Sequence, residues 1–146
     1  MSRLSSTSEL VLLWARKECY QSKKARDYLK QLDLEEGKTL YERCKEVWPY
    51  YDEVIKNRKF GVFTLIKKYC TEKINCQQLV IAGAGLDALG IEVTEHYPHV
   101  KVFELDKENM DFKSHLFAKL GNKSTANITF IEIDLLNIPS LYSNLT

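Results

Sequence analysis

The chain has 146 residues, 45% of them apolar and 28% charged, the make-up of one soluble globular domain with a real core. Its 21 basic and 20 acidic residues leave a formal charge of +1, too small a field to draw nucleic acid or a lipid surface, so neither is expected as a partner. No apolar run reaches the roughly eighteen residues of a spanning helix. The short run from Leu10 to Trp14 is followed at once by Arg16, Lys17 and Glu18 rather than by a secretory cleavage site, so a cytoplasmic location is expected.

Residues 1–75 read as a helical segment and residues 76–146 as α/β. Ser6-x-x-Glu9 is a capping-box signature, and the helix that it opens is expected to run through Ala25 and Leu29 to about Leu32. The charged stretch from Asp33 to Lys38, with Gly37, reads as a connection. A second helix is expected from Thr39 to Val47, stopped by Pro49. One or two more fill Tyr50 to Lys73, where Phe63, Ile66 and Cys70, and also Leu65 and Tyr69, fall at helical spacing. Cys19, Cys44, Cys70 and Cys76 lack Cys-x-x-Cys spacing and read as reduced thiols. His96 and His99 lack a third ligand, so no metal site is expected.

From Gln78 the pattern changes. Gln78 to Ala82 is a strand, Gly83-Ala84-Gly85-Leu86-Asp87 a tight turn, and a helix should open at about Asp87 and run to His96. A second apolar run, Val100 to Leu105, ends in Asp106. A helix from Asp111 to Leu120 follows, closed by Gly121, and the polar turn 122–127 leads into a third run, Ile128 to Ile133, that ends in Asp134. Strands alternating with helices predict a parallel, Rossmann-like sheet behind the helical segment. The chemistry follows from the layout. Glycines let the backbone approach a ligand, a helix N-terminus offers unpaired N–H groups, and a carboxylate about twenty residues on can grip ribose hydroxyls. Both NAD and S-adenosylmethionine fit such a crevice, but Ala88 stands where a dinucleotide site usually has its third glycine.

The strings Gly83-Ala84-Gly85-Leu86-Asp87, Phe103-Glu104-Leu105-Asp106 and Asp134-Leu135 resemble the leucine carboxyl methyltransferase family and related O-methyltransferases. So do the upstream Asn57-Arg58, Gly61-Val62 and Leu65-Ile66-Lys67. The resemblance implies the first three strands of a seven-stranded methyltransferase sheet that binds S-adenosylmethionine. It implies that Arg58 pairs with the cofactor's methionine carboxylate, and that Gly83, Ala84 and Gly85 form the floor beneath it. Asp106 would hold the ribose, and Asp134 with Leu135 the adenine edge. The methyl acceptor would be a carboxylate or hydroxyl of a small molecule or a protein C-terminus. No catalytic residue stands out. The same glycines also fit a plain turn, Asp106 and Asp134 fit helix caps, and Arg58 fits a solvated surface charge. Family members often carry Thr where this chain has Ala88, and Asp-Leu-Arg where it has Asp134-Leu135-Leu136. With three strands, the segment Leu79 to Ala82 is left as a free edge. The chain then reads as a fragment of a longer protein, a split subunit completed by another chain, or a degenerate member, and the edge is expected to self-associate, bind a partner or lie under the N-terminal helices. A non-catalytic interaction module and an NAD-dependent oxidoreductase are the alternative functions.

Overall fold

The computed structural model describes residues 6–15, 17–71, 76–121 and 127–137. Helices α1 (Ser6–Ala15), α2 (Lys23–Leu29), α3 (Glu35–Val47) and α4 (Tyr51–Thr71) come first, with a 3-10 turn at Lys17–Cys19. Then follow β1 (Gln78–Ala82), α5 (Leu89–His96), β2 (Lys101–Asp106), α6 (Met110–Ala118) and β3 (Ile128–Glu132). The strands are parallel in the order β1-β2-β3, with Ala82 opposite Leu105 and Leu105 opposite Ile131. Parallel neighbours require a crossover, and α5 and α6 supply it. The α/β class and the Rossmann-like parallel sheet behind a helical segment are those expected from sequence.

Burial explains why these elements pack as they do. β2 is the central strand, and Val102 and Leu105 on it are buried. Against the sheet lie Ile91 and Val93 of α5, Leu116 and Phe117 of α6, and Ala25 and Tyr28 of α2, in one core cluster. A smaller cluster of Leu10, Trp14, Ala15 and Ile55 joins α1 to α4. Among the described residues, no helix is long and apolar enough to cross a membrane.

Several expected boundaries are corrected by tertiary hydrogen bonds. The long first helix is broken after Ala15. Ser6 is itself helical, and Glu9 turns inward to accept the Gly37 N–H, where an added Cβ would collide with Glu9. The Gln21 and Ser22 N–H groups donate to the buried Glu92 carboxylate, and Ser22 Oγ caps α2 by accepting the Ala25 N–H at 3.1 Å. A buried acceptor on α5 thus outcompetes helix continuity. The expected connection from Asp33 to Lys38 is shorter, because α3 already begins at Glu35, whose N–H donates to Asp33 Oδ1 at 3.1 Å. Where one or two helices were expected between Tyr50 and Lys73, the described residues to Thr71 form one, α4. The polar turn expected over 122–127 lies, except for Asn127, outside the described residues.

Candidate functional site

The glycine turn peels away from β2 at the C-terminal edge of the sheet. The Gly83 and Ala84 N–H groups both donate to the Leu105 carbonyl, at 2.8 and 3.1 Å. Gly83 has φ +68° and Gly85 φ +51°, a left-handed backbone that only glycine adopts cheaply. That conformation lets the Gly85 N–H donate to Asp106 Oδ2 at 2.7 Å, while Asp106 Oδ1 accepts the Lys107 N–H at 2.7 Å. An ionised carboxylate has about four acceptor positions, so Asp106 is aimed by the chain and keeps acceptor capacity for a ligand. Asp106 is not the cap of α6. Asn109 holds that place at φ 69°, and Glu132 accepts the Met110 N–H.

A buried ion pair lies behind the turn. Lys113 Nζ pairs with Glu104 Oε2, and the two side chains are 0% and 1% exposed. The same ammonium donates to the carbonyls of Gly85 (3.1 Å) and Asp87. Glu104 Oε1 accepts the Gly90 N–H at 3.0 Å, and an added Cβ at Gly90 would stand inside that carboxyl. The intervening carbonyl, of Leu86, accepts the Tyr28 hydroxyl at 3.1 Å. Burial pushes the Glu104 carboxyl above its ordinary value, and Lys113 pulls it only part of the way back.

In front of the turn, Asp87 accepts the Tyr20 hydroxyl, the Lys59 ammonium and the Leu89 N–H. Lys59 also donates to the Tyr20 oxygen at 2.8 Å. Burial would raise the Asp87 carboxyl, but Lys59 and Tyr20 outweigh it and hold it below its ordinary value. This clasp borders an opening of ≈ 120 Å³ that is also lined by Arg58, Phe63, Leu89 and Glu92. Arg58 is exposed on α4 and has no ion-pair partner among the described residues. Next to Tyr20, the chain is strapped down further by Glu92 on the Gln21 and Ser22 amides and by Glu95 on Lys24.

Asp134 lies beyond the end of β3, not on it. Its carboxylate accepts the Leu136 N–H at 3.0 Å and sits 3.4 Å from Lys107 Nζ; that N–H first, and Lys107 second, hold its carboxyl below the ordinary value. Leu135 follows in the same turn, half-buried. The fold therefore gathers Gly83, Ala84, Gly85, Asp106, Asp134 and Leu135 at one sheet edge, with Lys107 bonded to both acids. Arg58 reaches the neighbouring opening that Asp87 shares.

One expectation is corrected here. The start of α5 is not an open set of donors, because Asp87 takes the Leu89 N–H and Glu104 the Gly90 N–H. Two carboxylates already complement the positive end of this helix. Asp87, Glu104 and Lys113 were given no role from sequence, though two signals were present. Glu104 stands inside an apolar strand, and Lys113 falls in line with Met110, Leu116 and Phe117 on the buried stripe of α6. Tyr20 and Lys59 carried no such signal. Among the described residues, no group of three or more His, Cys, Asp or Glu side chains is placed to hold a metal ion.

Residues 14–146 match the family model for leucine carboxyl methyltransferase. No curated protein and no solved structure matches the chain. The match spans most of the sequence and includes every residue of the crevice, and the chain belongs to the leucine carboxyl methyltransferase family.

Proposed function

We propose that the crevice binds S-adenosylmethionine and that the chain is an O-methyltransferase, or its cofactor-binding portion, acting on a carboxylate or hydroxyl of a small molecule or protein C-terminus. The carrying observation is the pairing of Asp106 with the start of α5. Asp106 is oriented by Gly85 and Lys107 with acceptor positions to spare, as a ribose diol requires. The helix start, where a dinucleotide would seat its pyrophosphate, is instead occupied by Asp87 and Glu104. Two carboxylates there favour a cofactor without phosphates.

In this reading Gly83, Ala84 and Gly85 supply the floor, Arg58 meets the methionine carboxylate, and Asp134 with Leu135 borders the adenine. The bound cofactor supplies a methyl group activated on a sulfonium. The protein's contribution is to hold that methyl and the acceptor together, a proximity effect worth roughly 7–11 kcal/mol. A carboxylate acceptor is ionised at neutral pH and needs no general base.

Titration calorimetry with S-adenosylmethionine, its demethylated product and NAD is the test. Binding of the first two and not of NAD is the expected result; binding of NAD alone would replace this reading with an oxidoreductase. A second reading, an interaction module that keeps the fold, is favoured by the open flank of β1. There Val80 is 52%, Leu65 57% and Tyr69 47% exposed beside a groove of ≈ 460 Å³. A folded chain that binds none of the three ligands would select it.

A further inference from the structure

Lys113 has no surface role, because its side chain is fully buried. Its ammonium donates to the Gly85 and Asp87 carbonyls and is ion-paired with Glu104 Oε2. Its partner Glu104 uses its other oxygen on the Gly90 N–H. One ion pair, anchored on β2 and α6, therefore grips the connection from β1 to α5 at residues 85, 87 and 90.

Stability alone is a weak reason for such a pair. Removing two charges from water is expensive, and well-packed apolar residues in the same space often serve as well or better. An apolar pair would not, however, hold two carbonyls and an amide. The glycine conformation at 85 points the same way. Without a fixed carbonyl at Gly85, its flexible backbone has no reason to keep the N–H on Asp106.

We infer that Lys113, with Glu104, is a positioning residue for the cofactor site. The pair fixes the backbone of residues 85–90, that backbone aims the Asp106 carboxylate, and the pair itself never touches the ligand. This rests on the reading of the crevice given above, and it adds that the affinity of the site is set partly from behind the turn.

The test uses two variants of the full chain. Lys113→Met removes the grip but leaves Glu104 buried without its cation, and for that reason can fail to fold. Glu104→Gln/Lys113→Met removes both charges and keeps an acceptor for the Gly90 amide. Two readouts are taken. In ligand-free protein, amide exchange at Gly85 should be about tenfold faster in the double variant, while the β2 amides stay protected. Binding of S-adenosylhomocysteine should weaken about tenfold at a little-changed melting temperature, an effect that a purely structural pair would not produce. A folded double variant with wild-type exchange at Gly85 and wild-type affinity would overturn the inference. Faster Gly85 exchange in a protein whose wild type binds no S-adenosylhomocysteine would overturn the cofactor reading and support the grip of Lys113 on the turn.

Discussion

Lys113–Glu104 behind the glycine turn and Lys59–Asp87 in front of it are both lysine–carboxylate pairs on the same few residues, yet only the first is sealed from water. Its side chains are 0% and 1% exposed, against 15% and 25% for the pair in front. The two carboxyls are displaced in opposite directions, Glu104 upward by burial and Asp87 downward because Lys59 and Tyr20 outweigh burial. The buried pair thus behaves as a fixed part of the frame. The front pair borders an opening, can be reached by solvent or ligand, and ties the helical segment to the α/β half through Tyr20. Equal chemistry in the sequence becomes two different devices once burial is assigned.

The difference can be broken by substitution. Lys113→Met strands a buried carboxylate and should lower the unfolding free energy by about 3–5 kcal/mol in urea titrations. Lys59→Met removes a partner that solvent can partly replace, and about 1.5–3 kcal/mol is expected. Equal losses would mean that the two pairs are not distinguished by burial.

Acid titration sharpens the contrast because the signs differ. A carboxyl lowered on folding, as Asp87 is, adds stability above its unfolded value, and that stability is lost as pH falls through the lower folded value. Unfolding free energy should therefore decline below about pH 4, and Lys59→Met should flatten that decline. A carboxyl raised on folding, as Glu104 is, acts the other way, with stability falling as pH rises from the unfolded to the folded value. Glu104→Gln should remove that component, and a decline of the same sign in both variants would contradict the assignment. The smallest effect is expected at the open flank. Val80→Thr, at a half-exposed position of β1, should change stability by about 0.5 kcal/mol or less. A loss of several times that size would contradict an open edge at Val80.

Much of this was legible before any coordinates. Apolar runs and Gly-x-Gly marked β1, β2 and the turn, and the spacing to Asp106 marked the acid that the Gly85 amide meets. What sequence could not show were the tertiary acceptors. Glu92 breaks the first helix by taking two amides from residues 21 and 22, and Asp87 delays α5 to Leu89 by spending its carboxylate on Tyr20, Lys59 and the helix amide. Leu65 and Tyr69 looked as core-like as Ile66 and Cys70, yet only the latter two are buried, because periodicity finds a stripe without saying which stripe is covered.

The most direct measurement is calorimetric titration of S-adenosylhomocysteine into the wild-type chain and Asp106→Ala, side by side, with folding checked by circular dichroism. Removing a charged acceptor of ribose hydrogen bonds corresponds to about 1.5–3 kcal/mol, so the variant should bind at least tenfold more weakly. Wild-type affinity in a folded Asp106→Ala protein would contradict the crevice as the cofactor site.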